Sequence, residues 1–207
     1  MKDVTTGIVD EQASLEETLK GEILRMYEEV ANEPEGDFHF FSGREAAELF
    51  EYDPELLDRA PPEAVASFAG VGNPHLRSNL QEGETVLDLG SGAGLDGIIA
   101  AGEIGPTGRV IGLDLNPSMC ERARKNAEIS SAQFECREGR MEEIPLEDGA
   151  VDVIISNGVI NLSFQKRKVI QELFRVLKPG GRISITDIVS AKQLSQDIVN
   201  DPKLWAS

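Results

Sequence analysis

From Glu84 onward, apolar and polar positions alternate between short apolar runs and amphipathic segments. Thr85-Val86-Leu87-Asp88-Leu89 is an apolar run of strand length that opens into Gly90-Ser91-Gly92-Ala93-Gly94. A helical pattern follows over roughly 95–103, with Leu95, Ile98, Ile99 and Ala100 at its apolar positions. Gly105-Pro106-Thr107-Gly108 reads as a turn. Residues 109–113 predict a second strand that ends at Asp114. Asn116-Pro117 supplies an N-cap and a first-turn proline for a helix to about Ile129. Residues 133–137 and 151–156 predict the third and fourth strands, the fourth a β-branched run suited to burial on both faces. Residues 166–177 predict a helix with Val169, Ile170, Leu173, Phe174 and Leu177 on one side. Lys178-Pro179-Gly180-Gly181 stops it, and residues 182–188 predict a fifth strand. This alternation implies βαβ units and an α/β fold with a doubly wound, Rossmann-like, mostly parallel sheet.

Before Glu84 the pattern is helical. Ser14 and Glu17 match a capping box, and Leu15, Leu19, Ile23, Met26 and Val30 then recur at helical spacing. Two roles fit this helix: packing on the core, or a lid on the substrate side. Pro34 and Gly36 end it. The cluster Phe38-His39-Phe40-Phe41 either lines an apolar pocket or pins the N-terminal segment down. Short helices are predicted over 45–50, 54–59 and 62–69, with a loop over 70–74. The expected organisation is a helical extension, 1–83, packed on a core, 84–207, as one globular unit.

The chain has 207 residues, enough for one domain with a substantial core. Its net charge of −17 repels phosphate, so neither nucleic acid nor an anionic membrane is an expected partner. The acidity suits a small neutral or cationic substrate, or serves solubility alone. Cys120 and Cys136 have neither zinc nor disulfide-framework spacing, so packing roles and no metal site are expected. Met1-Lys2-Asp3-Val4 does not open a signal peptide, and no apolar run reaches membrane-span length. The cytoplasm is the expected location.

The glycine-rich turn lies where ligands bind in open α/β sheets, beyond the carboxyl ends of the strands. Its spacing is G-x-G-x-G, and Leu95 stands where the dinucleotide fingerprint wants a third glycine. That departure disfavours a nicotinamide oxidoreductase and favours another adenosyl ligand. Asp114, at the end of the next strand, suits the two hydroxyls of a ribose. Asp88 suits an ammonium group or a role in orienting the glycine loop. Candidates to handle the acceptor are Asn157 at the end of the fourth strand, His39, His75 and Asp187.

Together, Val86 to Gly94, Val110-Ile111-Gly112-Leu113-Asp114 and Leu177-Lys178-Pro179-Gly180-Gly181-Arg182 resemble the class I methyltransferases that use S-adenosyl-L-methionine. The resemblance covers about residues 84–190. It implies that the glycine turn, with Gly90, Ser91, Gly92 and Gly94, meets the methionine part of the cofactor; by position, Asp88 is also a cofactor-binding candidate, and Asn157 is placed to touch either methionine or acceptor. Asp114 would hold the ribose, with Leu115 next to it among the cofactor-binding candidates, and the Gly139-Arg140-Met141 segment would meet the adenine. The family often has an acidic residue where this chain has Arg140. Phe68 to Pro74, Ile155 to Leu162 and Ile185-Thr186-Asp187-Ile188-Val189 look closer still to arsenite methyltransferases. That family has a metalloid-binding cysteine in each of the first two motifs, where this chain has Val71 and Gly158. Neither residue supplies the thiolate that a soft As(III) centre wants.

The expected function is methyl transfer from S-adenosylmethionine to a small-molecule acceptor. The alternatives are arsenite methylation, or a catalytically silent cofactor-binding or assembly protein of the same fold. Class I members usually continue past the fifth strand through a helix to two further strands, and only 19 residues follow Ile188. Three explanations are open: a fragment, a second copy or partner that completes the sheet edge, or a reduced fold.

Overall fold

The structure, a computed structural model, describes residues 17–18, 21–30 and 41–192. Ser14, Leu15, Leu19, Pro34, Gly36, Phe38, His39 and Phe40 lie outside the described residues. The chain enters through a helical segment at 21–30 (α1). Three short helices follow: α2 (Gly43–Leu49), α3 (Pro54–Arg59) and α4 (Pro62–Ala66). The one-turn helix α5 (His75–Ser78) lies within a stretch with no regular periodicity of its own. Its position comes from tertiary bonds. Ser184 donates through Oγ to Pro74 O at 2.6 Å, and Arg182 donates through Nε to Ser78 O at 2.6 Å.

The sheet comprises β1 (Thr85–Leu89), β2 (Arg109–Asp114), β3 (Phe134–Glu138), β4 (Val151–Asn157) and β5 (Leu177–Thr186). All pairings are parallel, in the order β3-β2-β1-β4-β5. The expected α/β sheet is therefore present, and within the described residues it is wholly parallel. Three longer helices make the connections: α6 (Leu95–Ile104), α7 (Pro117–Ser130) and α8 (Lys166–Val176). The order turns back between β1 and β4, which opens a crevice above their carboxyl ends.

Period-two alternation divides the core between the two faces of the sheet. Val86, Val110, Val153 and Ile155 pack with α6, α7 and the short helices α2 to α4. Leu87, Leu89, Ile111, Leu113 and Ile154 pack on the other face with Val169, Leu173 and Val176 of α8. Ala46, Tyr52, Leu57 and Val65 share a cluster with the strands, so the helices before β1 are built into the core.

Several expected boundaries are corrected. The helix predicted over 62–69 ends at Ala66. The helix predicted over 166–177 ends at Val176. Lys178-Pro179-Gly180-Gly181 is not a stop before the strand but part of β5. Leu177 already pairs with Val151, and after a register irregularity Arg182 pairs with Val153. Lys178 Nζ holds both Asp152 carboxylate oxygens at 2.8 Å, which fixes the irregular stretch to β4. At the other end of the strand, Ile188 lies beyond Thr186, where β5 stops.

Candidate functional site

A cavity of about 350 Å³ opens above the carboxyl ends of β1, β2 and β4. Its floor is the turn Gly90-Ser91-Gly92-Ala93. Gly90 and Ser91 donate their amides to Leu113 O at 2.8 and 3.1 Å, so the turn is tied to β2. Gly90 has φ +72°, and a Cβ there would meet Val159 side-chain atoms at 2.6–2.7 Å. Only glycine allows both the backbone angle and that approach. Gly92 has φ +50° with open space where a Cβ would stand, which leaves its backbone bare toward the cavity.

Asp114 adjoins this turn at the cavity wall. Its Oδ2 accepts from Gly92 N–H at 2.8 Å and its Oδ1 from Asn116 N–H at 2.8 Å. Burial pushes its carboxyl above the ordinary range, while the amides of Asn116, Gly92 and Leu115 pull it back. A carboxylate has about four lone-pair sites, so these three amides leave about one for a ligand. Asn116 then caps α7 by accepting from the Ser118 and Met119 amides at 2.8 and 3.3 Å.

The roof is α1, through Ile23, Leu24 and Tyr27. Asn116 Nδ2 donates to Leu24 O at 3.3 Å, and Val30 packs with Ala93 and Met119. Burial, with Asp114 and Asp187 adding to it, pushes the Tyr27 phenol up to about 12, so it stays a neutral donor. Both roles that fit this helix therefore hold in part: it packs on the core and it walls the cavity.

At the β3 end the wall is Gly139, Arg140, Met141 and Glu142. Arg140 lies 3.5 Å from the Glu142 carboxylate, whose other oxygen accepts from Ser163 Oγ at 2.6 Å. At the β4 end, Asn157 has its amide fully engaged. Its Nδ2 shares two hydrogens among three acceptors, Gly72 O at 2.9 Å, Tyr52 OH at 3.1 Å and Asp96 Oδ2 at 3.2 Å. Its Oδ1 accepts from Val71 N–H and Thr186 Oγ1, both at 2.9 Å. Asn157 thus joins β4, β5 and the 70–72 loop. It lines the cavity, but its amide has no donor to spare.

The expected site residues divide accordingly. Gly90, Ser91, Gly92, Asp114, Leu115, Arg140, Met141 and Asn157 all line the cavity. Asp88 and Gly94 do not; they support the floor from beneath. Asp88 is 2% exposed, and burial and the nearby Asp96 push its carboxyl well above the usual range. Gly94 packs against the Phe134 ring and α7. His75 is displaced from the cavity. Its Nε2 meets Asp96 Oδ1 at 3.1 Å and its Nδ1 lies 3.6 Å from Glu103. Burial lowers the His75 pKa, but these two carboxylates outweigh it and bring it up to about 9. Asp187 accepts the Asn161 and Ile188 amides at 3.1 and 2.7 Å. His39 lies outside the described residues.

Site residues that the sequence pattern does not single out include Asp96, Tyr52, Glu142, Ser163 and Tyr27. Asp96, two residues past Gly94, carries the only local signal, an acidic residue in the first turn of the helix after the loop. Val71 and Gly158, 87 positions apart in the chain, are neighbours here: a Cβ on Gly158 would lie 3.3 Å from Val71 Cγ1. Both cysteines are free and buried beside the site. Ser91 Oγ is 3.4 Å from Cys136 Sγ, and Cys120 Sγ donates to Asp114 O at 3.6 Å.

A family model described as a methyltransferase domain matches residues 80–207. The arsenite methyltransferase of Halobacterium salinarum is 46% identical over 134 residues, covering 64% of this chain and 34% of that protein. The demethylmenaquinone methyltransferase of Oceanobacillus iheyensis is 38% identical over 109 residues, covering 52% of this chain and 45% of that one. Among solved structures, an arsenic(III) S-adenosylmethionine methyltransferase from Chlamydomonas reinhardtii superposes with a TM-score of 0.61. It is 32% identical, and the match covers 79% of this chain and 55% of that one. The chain thus spans between a third and a half of the length of these two curated relatives.

Proposed function

This chain belongs to the methyltransferase-domain family, and from that premise we propose that it binds S-adenosylmethionine and transfers the methyl group to a small-molecule acceptor. The observation that carries the reading is the pairing of the Gly90–Gly92 turn with Asp114 in the wall of one cavity. The residues fit the group: a bare backbone beside Gly92, an open lone-pair site on Asp114, and an apolar roof. In this reading Asp114 takes the ribose hydroxyls. The bare stretch at Gly92 lets the ligand come close to the backbone. Arg140 and Met141 flank the base, with the Met141 amide as the donor.

S-adenosylmethionine, when bound, supplies an electrophilic methyl on a sulfonium that leaves as a neutral thioether. The chain's own task is then to orient the acceptor and exclude water. Ile23, Leu24 and Tyr27 of α1 close the cavity from above. Phe68, Ala69 and Val159 give the acceptor an apolar wall. Asn157 holds the 70–72 loop and β4 at a fixed separation, which sets the width of that wall.

Arsenite methylation has less support. The adjacent Val71 and Gly158 offer no thiolate, although relatives and a structural neighbour carry arsenite or arsenic(III) in their names. The location proposed is the cytoplasm, supported by two free cysteines; among the described residues no helix is long and apolar enough to cross a membrane. For partners, the reading is a second chain, a copy or another protein, along β5. That edge strand carries the exposed Ile183 and Ile185.

Calorimetry with S-adenosylhomocysteine tests the cofactor reading, and stoichiometric binding is expected. Absence of binding by the full chain overturns it. A screen of small acceptors that measures homocysteine release tests transfer itself. Stoichiometric binding of As(III) would overturn the preference against arsenite.

A further inference from the structure

We propose that Asp96 is the counter-charge for the ammonium group on the methionine part of the cofactor. The proposal rests on the reading that S-adenosylmethionine occupies the cavity. It begins from position. Asp96 is the second residue of α6 and lines the cavity beside Asn157, at the β1/β4 end. Arg140 and Met141 stand at the opposite, β3 end, with Asp114 between. Three strand spacings separate β3 from β4, roughly 14 Å. A nucleoside carrying an amino-acid side arm, extended with its ribose on Asp114 and its base toward Met141, brings the arm's charged end to Asp96.

The carboxylate is ringed by donors. Its Oδ1 takes a 2.5 Å hydrogen bond from Tyr52 OH and faces His75 Nε2 at 3.1 Å. Its Oδ2 accepts from Asn157 Nδ2 at 3.2 Å. Glu103 lies on the far side of His75, 3.6 Å from Nδ1. The α6 N-terminus adds its partial positive charge. These three partners use both sites on Oδ1 and one on Oδ2, which leaves a single Oδ2 site open. An ammonium has three donors, no acceptor and a positive charge, which suits an open carboxylate site. The other buried carboxylate nearby, Asp88, does not line the cavity.

The test compares two ligands on two proteins by calorimetry. One ligand is S-adenosylhomocysteine. The other is its deaminated analogue, which keeps the adenosyl group, the thioether and the carboxylate but lacks the ammonium. On the wild-type chain the analogue is expected to bind weaker by roughly tenfold or more, the loss of one charge-assisted hydrogen bond. On Asp96→Asn the two ligands are expected to bind alike. If the wild-type preference persists undiminished in Asp96→Asn, the proposal is overturned while the cofactor reading stands. If wild-type protein binds neither ligand, the cofactor reading fails and the proposal with it. Should Asp96→Asn not fold, a crystal structure of the wild-type chain with S-adenosylhomocysteine decides the same question without a variant. An ammonium nitrogen within about 3.2 Å of Asp96 Oδ2 supports the proposal. The nitrogen resting on Glu17 or on backbone carbonyls alone overturns it.

Discussion

Single residues divide here into those that meet a ligand and those that hold the first group in place. In the proposed reading Asp114 belongs to the first kind, with three lone pairs spent on the amides of Gly92, Asn116 and Leu115 and about one left over. Asp114→Ala is expected to weaken S-adenosylhomocysteine by at least roughly tenfold in calorimetry, since each hydrogen bond to a charged group contributes about 1.5–3 kcal/mol. Unchanged affinity would remove the ribose assignment. Gly90 belongs to the second kind. Gly90→Ala must accept φ +72° and push a Cβ into Val159. The expected result is a fall in the denaturation midpoint equivalent to about 2–4 kcal/mol, because strain and overpacking add. From its place at a strand end, Asn157 reads as a group that touches the ligand, yet its amide is spent on five protein partners. A side chain's free valence is invisible until its neighbours are known.

At the scale of elements, the strands and the longer helices were legible because each carries its own periodicity. Thr85–Leu89 and Pro54–Arg59 fall where the pattern puts them. The one-turn helix α5 was not legible. It is held by bonds from Arg182 and Ser184, more than a hundred positions away in the chain, and by His75 wedged against α6. That wedge has a pH signature. His75 titrates near 9 in the folded chain, above its ordinary 6.5. Its contribution to stability is therefore complete below about pH 6.5 and is lost as pH rises through 9. The size is on the order of 3 kcal/mol. Denaturation of the wild type and of His75→Gln from pH 6 to 9.5 is expected to show a stability gap that narrows as pH rises. A gap independent of pH would mean that His75 is neutral in the fold. The Lys178–Gly181 stretch departs from its local signal for the same reason as α5. Proline and two glycines mark a break locally, but Lys178 pins the segment to Asp152 and keeps it in the strand.

For the whole molecule, a ligand bound only by the folded state must stabilise it. S-adenosylhomocysteine at a hundredfold excess over its dissociation constant is expected to add about 2.7 kcal/mol, seen as a rise in melting temperature. Asp114→Ala should lose about half of that rise or more at the same ligand concentration. A wild-type melting temperature indifferent to the ligand would contradict the cofactor reading.

The sequence by itself determined the order of strands and helices, the glycine turn after β1 and the acidic end of β2. Each of these is written in a few consecutive residues, where periodicity and glycine geometry act locally. Only the tertiary structure decided what those pieces enclose. It brought α1 over the cavity, set Val71 beside Gly158, and removed His75 from the site. It also put Asp96, Tyr52 and Asn157, more than a hundred positions apart end to end, into one hydrogen-bonded group. A hydrogen bond depends on distance and angle in space, and separation along the chain says little about either.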